Sequence, residues 1–395
     1  MQKLLALLVG GYGFFYLPKE IDMEEDKMMK AGERIVFLDY LRVIACFMVL
    51  LAHCCEPFYF SENGGCLLRS ASDAIYLAVF VSACVACVPL FVMASSYLLF
   101  PVAKPSGEFL KRRFSRIFIP FLVWSCVYCA YSGGGWKELL FNFPMCGAHM
   151  WFIPMLMGLY LAMPVISPWA ERLSAREIRV WLALWFFTTA FPFIRKLASY
   201  VINGAGGGAE PFLWGESLWN DFGGFHYVSG FIGYVLLGFY FRKFVPELSW
   251  KRTLSIALPL WISGWIFICA VFLCRIPLEN GYPVEGPLSL ALDLELGWRT
   301  CTTGVAMTAA GAFLAIRKLN FQGAVYRYFI KPLAAASFGT YLAHMLVLVP
   351  VLAWIRPHFS TPVTMVLSAA ATFVLTSIVS IVLGRIPFLG RFIAP

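Results

Sequence analysis

Charged side chains are scarce in this chain. Asp, Glu, Lys and Arg together make up 13% of its 395 residues, against 60% hydrophobic and 17% aromatic residues. A soluble domain draws about a quarter of its residues from those four charged types, so the composition excludes an ordinary soluble globular protein. No period of 20–50 residues repeats, and only about a dozen residues are expected beyond the last apolar run. Whatever chemistry occurs is therefore expected from helices in a membrane and their short loops.

Long apolar runs are what the sequence has in quantity. Segments that meet the roughly 17–25 residues needed to span a bilayer, several near the short limit, can be drawn at 35–58, 74–100, 117–132, 150–168, 180–194, 226–241, 254–273, 297–316, 333–354 and 361–383. The fold class expected is thus all-α, a polytopic integral membrane protein of about ten transmembrane helices. Lys and Arg test the drawing, because cytoplasmic loops carry their excess. With the segment before Arg42 inside, 23 of the 31 fall in inner segments and 7 in outer ones. The bias assigns both termini to the cytoplasm. It also accounts for the net charge of +9 as topology, so no nucleic acid partner is expected; the partner implied is membrane lipid.

Residues 1–34 form an N-terminal cytoplasmic or interfacial segment in this reading, 35–385 the membrane domain and 386–395 a short tail. Leu4 to Leu17 imitates a signal peptide but lacks a small-x-small cleavage site. An interfacial helix, an eleventh span or a start at Met28 or Met29 all remain open. The twelve cysteines suggest no metal site: Cys84 with Cys87, and Cys126 with Cys129, have CxxC spacing but lie in apolar runs without His or acidic ligands nearby. Cys66, Cys146 and Cys274 fall in or near outer loops, where a disulfide is an open alternative.

Against this background the first span stands out. RIVFLDYLRVIACFMVLLAHCCEPF carries Asp39, Arg42 and His53, and an ionisable residue inside a span is by default a functional candidate. Arg42 and His53 are eleven positions apart, almost three helical turns, which places them on one face about 16 Å apart along the axis.

Four further islands accompany it: VPLFVMASSYLLF, KRRFSRIFIPF, HMWFIPMLMGLYLAMPVI and SFGTYLAHMLVL. Together, in this order, the five resemble the acyltransferase 3 family of membrane-bound enzymes, whose members O-acylate sugars of bacterial surface polysaccharides and peptidoglycan. The resemblance runs from about residue 35 to 385. It implies about ten helices in the bacterial inner membrane, an acyl-CoA donor on the cytoplasmic side, a functional Arg and His pair on the first helix and an Arg-x-x-Arg motif at the third. Those map onto Arg42 with His53, and onto Arg113 with Arg116. One island departs from the pattern, since the family's Ser-Gly-Tyr is here Ser95-Ser96-Tyr97.

The roles follow from that chemistry. A sugar hydroxyl is a poor nucleophile, and histidine is the side chain whose unperturbed pKa lies near neutrality. His53 is the candidate base, with Glu56 one turn on to orient it; a core histidine satisfied by a backbone carbonyl is the structural alternative. Asp39 and Arg42, at i and i+3, suit an ion pair that either holds the donor or anchors the helix. Arg113 and Arg116 are one turn apart and suit the phosphates of coenzyme A, although positive residues at an inner border are expected anyway. His149, Trp151, Tyr341 and His344 are candidates for a supporting role on the acceptor side; His226 and His358 are assigned nothing. The Arg42 to His53 separation is close to the length of pantetheine, which suggests phosphates at one end and thioester at the other.

The expected function is an acyl-CoA-dependent O-acyltransferase, most simply an acetyltransferase, acting on a glycan acceptor, with acyl-CoA as co-substrate and no bound cofactor or metal. The alternatives are a transporter whose path is lined by Asp39, Arg42, His53 and His344, and an inactive assembly subunit. The oligomeric state is left open.

Overall fold

The computed structural model describes residues 34–61, 63–141, 147–204, 210–217, 220–387 and 390–393. The expectations for residues 1–30 and for Cys146 lie outside the described residues. Twelve helices of twelve residues or more form the body: α1 Val36–Cys55, α2 Ala71–Cys84, α3 Cys87–Leu99, α4 Ser106–Tyr131, α5 Phe152–Arg172, α6 Ala175–Thr189, α7 Phe191–Asn203, α8 Ile232–Lys243, α9 Trp250–Cys274, α10 Thr303–Ile316, α11 Lys331–Ile355 and α12 Thr361–Gly384. A two-stranded antiparallel ribbon, β1 Cys66–Leu68 with β2 Val284–Gly286, clips two loops together in the register Leu67 to Glu285.

The protein is an all-α polytopic membrane protein. Among the described residues seven helical segments are long and apolar enough to cross a bilayer, with α2 and α3 forming one of them, and the bent pair α6 and α7 makes up to eight. A helix or helix pair lies at each of the ten predicted segments, but three depart from a straight span. The predicted 180–194 is broken into α6 and α7 at a 44° bend. There Pro192 supplies no backbone N–H to continue the ladder, and Thr188 and Thr189 turn their hydroxyls back onto the carbonyls of Trp185 and Phe186. The predicted 226–241 contains the twelve-residue α8, because Gly230 at a φ of 74° interrupts the chain ahead of it. The predicted 297–316 contains α10, which starts only at Thr303.

Burial shows which faces meet lipid. On α9 the buried residues are Thr253, Ala257, Gly264, Ile268 and Phe272, a single stripe, while Leu258, Ile262, Ile266 and Phe267 are exposed. An apolar face of that size left bare has no place in water, and a helix that satisfies its own backbone is suited to bilayer. The stripe packs on α10 through small residues. A Cβ at Gly264 would stand 2.7 Å from the Gly304 carbonyl oxygen, and one at Gly311 would stand 2.6 Å from that of Ala257. Close backbone approach of this kind is how helices associate where no hydrophobic force drives them.

Helix α1 packs against α2, α3, α11 and α12. Near one of its ends charged residues from α7 and from the segments 210–217 and 275–295 are tied to each other. Lys196 bridges Glu210 at 3.1 Å and Asp293 at 3.2 Å, Arg275 also pairs with Asp293, and Tyr59 donates to Glu295 at 2.7 Å. Asp293 and Glu295 are thus both engaged in side-chain pairs. At the other end of the chain, the predicted tail is docked: the Ile393 carbonyl accepts a 2.9 Å hydrogen bond from Trp124 on α4.

Candidate functional site

Three histidines from distant parts of the sequence meet beside the C-terminal end of α1. His53 lies in its last turn, His149 in the 3-10 turn Ala148–Trp151 that leads into α5, and His344 in the middle of α11. Their ring centroids are 5.2 Å apart for His53 and His344, 4.8 Å for His149 and His344, and 6.4 Å for His53 and His149. His344 is fully buried, His149 is 8% exposed, and His53 keeps a fifth of its side chain accessible.

The hydrogen bonds around these rings determine what each nitrogen offers. His344 Nδ1 stands 2.6 Å from the Tyr341 carbonyl oxygen. A carbonyl only accepts, so Nδ1 carries the proton, and in the neutral ring Nε2 presents a lone pair. That Nε2 is buried without a partner among the described residues, as is Nε2 of His149. His53 Nδ1 stands 2.7 Å from Glu56 Oε1. An ionised carboxylate likewise only accepts, which directs the His53 lone pair to Nε2 as well. Two neutral imidazoles that both present lone pairs have no hydrogen bond to make with one another; a hydroxyl or an added proton supplies it. Buried nitrogens left unmatched in this way cost about 1–3 kcal/mol each, and such orphan groups call for a ligand or a chemical role.

Tyrosines fix the rings in place. Tyr341 donates to the His149 carbonyl at 2.7 Å, and Tyr128 on α4 donates to the Leu342 carbonyl at 2.7 Å while its ring packs edge-on against His149 at 4.8 Å. The Leu342 carbonyl is also hydrogen-bonded by the His149 ring. Tyr128 carries no sequence signal of this role, because the carbonyl it bonds is 214 positions away. Trp151 is not brought into the cluster; it is 41% exposed and packs on Phe231.

The opposite end of α1 holds the second group of predicted residues. Asp39 is fully buried and accepts from Arg34 Nε at 2.5 Å, from Tyr326 at 2.8 Å and from Arg42 at 3.3 Å. Its carboxylate is thereby occupied in holding the start of α1 to the turn before α11, about 20 Å along the axis from His53. Asp39 is a positioning residue for the arginines and does not touch the imidazole. Sequence reasoning paired it with Arg42 alone; Arg34 and Tyr326 are the closer partners. Arg42 keeps a third of its side chain accessible and lies with Arg113 within electrostatic reach of Tyr160, whose hydroxyl bonds Ser95. Arg113 is half-buried, its guanidinium 5.9 Å from the centre of the Phe109 ring and its Nε without a partner among the described residues. Arg116, one turn on, is exposed. The arrangement places Arg42 and Arg113 around Tyr160 at one end of α1, and unpaired imidazole nitrogens at the other.

The variant island is closely packed. Ser96 is buried and donates to the Val235 carbonyl at 2.5 Å. Facing it on α8 is Gly238, where a Cβ would stand 2.7 Å from the Met93 carbonyl oxygen and 3.1 Å from Ser96 Cβ. The close helix contact that a glycine permits is thus present here between α3 and α8. Among the described residues no group of three His, Cys, Asp or Glu side chains is placed to hold a metal ion, and Cys66 and Cys274 are free.

Comparison with known families matches residues 35–385 to the acyltransferase domain that defines the acyltransferase 3 family. Neither the curated proteins nor the solved structures contain a match to the chain. The matched stretch begins one residue before α1, ends one residue past α12 and contains both ends of the site, and on that span the chain belongs to the acyltransferase 3 family of membrane acyltransferases.

Proposed function

We propose that this acyltransferase is an acyl-CoA-dependent O-acyltransferase of the bacterial inner membrane, which transfers an acyl group, most simply acetyl, to a sugar hydroxyl of a surface polysaccharide or its lipid-linked precursor. In this reading both termini are cytoplasmic, in keeping with the Lys and Arg bias. The single observation that carries it is the His53 imidazole held at Nδ1 by Glu56, its ring 5.2 Å and 6.4 Å from two further histidines whose own Nε2 atoms have no partner among the described residues.

Coenzyme A binds through its phosphates at Arg42, Arg113 and Arg116, whose forks match phosphate oxygens. The thioester reaches the far end of α1. There His53 Nε2 takes the hydroxyl proton as the oxygen attacks the carbonyl carbon; a C–O bond forms, the C–S bond breaks, and the proton passes from His53 to the departing thiolate. Glu56 stabilises the imidazolium that forms in between. His149 and His344, each left with a lone pair at Nε2 by a ring bond to a backbone carbonyl, hold neighbouring hydroxyls of the acceptor sugar. Attack on the thioester is direct, with no acyl intermediate on the protein.

The test is acyl transfer by purified protein in lipid nanodiscs, with radiolabelled acetyl-CoA and membranes or glycan extract from the source cells. Label is expected in glycan with the wild type and absent with His53→Ala. No transfer from any acyl-CoA, together with CoA-independent solute uptake that needs His53, would overturn the reading in favour of transport.

A further inference from the structure

His53, a fifth of its side chain accessible, lines a pocket of about 210 Å³ together with Glu56, Met345, Leu348, Leu352, Ala353 and Arg356. Pockets that enclose a whole ligand typically measure about 300–1,000 Å³. This one accommodates only part of a substrate, a single sugar-sized group, and the remainder has to stay outside it.

What lies outside is set by α11. Residues 345, 348, 349, 352, 353 and 356 recur at three- and four-residue intervals, so they form one stripe along the helix. The stripe is apolar until its last member. Val349 is 48% exposed, Ala353 and the neighbouring Trp354 are also exposed, and Trp354 at 71% is suited to a membrane boundary. Arg356 then ends the stripe. Its guanidinium stands 5.1 Å from the centre of the Phe58 ring, and it has no ion pair among the described residues. Glu56, the nearest acid in the pocket lining, is engaged by His53. An apolar track leading from lipid to a cation beside the catalytic imidazole has the chemistry of an amphiphile: a hydrocarbon chain, then an anionic group, then the reacting part.

Resting on the acyltransferase reading, we infer that the acceptor enters sideways from the membrane as a lipid-borne glycosyl phosphate, its hydrocarbon along Val349 and Ala353, its phosphate at Arg356 and its sugar hydroxyl at His53. A polymer arriving from water has no use for the apolar track. A free sugar phosphate would need the cation only.

Direct binding tests this independently of transfer. Wild-type protein in nanodiscs is irradiated with a polyprenyl phosphate carrying a diazirine near its phosphate end, and the labelled peptides are identified. Label is expected on the segment 345–356, at least tenfold weaker in Arg356→Gln and in Ala353→Trp and unchanged in Val374→Trp, a lipid-facing control on α12. The corresponding polyprenol should label at least tenfold less than the phosphate, and millimolar inorganic phosphate should not compete. Equal labelling of Arg356→Gln and wild type, equal labelling by the uncharged polyprenol, or label confined to other helices would overturn the inference. So would full competition by inorganic phosphate, which would leave a bare anion site. Because the readout is cross-linking, a protein that binds the probe here but transfers no acyl group would refute the acyltransferase reading alone, whereas a protein that acylates glycan and ignores the probe would refute only this one.

Discussion

Glu56 Oε1 holds His53 Nδ1 at 2.7 Å across one turn at the end of α1. The pair is local in sequence, so its geometry is guaranteed by the helix end itself. The receiving side of the site, His149 and His344, is contributed by other helices and depends on tertiary packing. A base built in this way is oriented before any substrate arrives, and its tautomer is chosen by the carboxylate.

Removing the imidazole should therefore abolish transfer while leaving the fold intact. His53→Ala is expected to lower kcat by about 10²–10⁴, the usual contribution of a positioned general base. Glu56→Gln retains a hydrogen-bond partner but not the charge, and is expected to lower kcat with little change in KM for acyl-CoA. Steady-state kinetics on both variants, with thermal unfolding in parallel, checks the pair.

The guanidinium groups at the other end should behave in the opposite manner. Arg113→Gln and Arg116→Gln are each expected to raise KM for acyl-CoA about tenfold or more, as expected for loss of a hydrogen bond to a charged group worth about 1.5–3 kcal/mol, and to leave kcat nearly unchanged. A direct binding titration with coenzyme A at several salt concentrations distinguishes phosphate recognition from a general loss of positive charge.

Asp39→Asn should act through stability first. It keeps an acceptor for Tyr326 but leaves Arg34 and Arg42 without their anion. The expected cost is about 1–3 kcal/mol, moderated because both arginines reach solvent, and it should show as a lower Tm in detergent together with weaker coenzyme A binding. An unchanged Tm would contradict the role assigned to this carboxylate.

Glu295 offers a pH test outside the spans. Burial lifts its carboxyl above the usual carboxylate range, against the hydrogen bond from Tyr59. Folding thus favours its protonated form, so its contribution to stability is complete below the ordinary carboxylate pKa and is lost as pH rises through the raised value. The Tm of wild type relative to Glu295→Gln is expected to fall across that interval and to level off above it.

Much of this was legible in the sequence. The apolar runs located the helices, and the Arg42 to His53 spacing placed two chemical groups at opposite ends of one helix, because helical rise alone dictates it. The 44° bend at Ala190 and the shortness of α8 were not legible, since proline and glycine mark a break without saying whether the chain continues across the membrane. Nor was the meeting of His149 with His344, which depends on how α4, α5 and α11 pack. Arg34 and Tyr326 escaped for the same reason in the case of Tyr326, 287 positions from Asp39. Arg34 lay just outside the span drawn and was counted only as loop charge.

Ser96 and Gly238 act as one packing unit carried on two helices. A sequence scored position by position records a missing glycine at 96; the contact between α3 and α8 records none, because the space is made from the opposite side. Restoring glycine at 96 would delete the bond to Val235, while adding even a methyl at 238 would drive it into the Met93 carbonyl. Changes at these two sites are therefore expected to be non-additive.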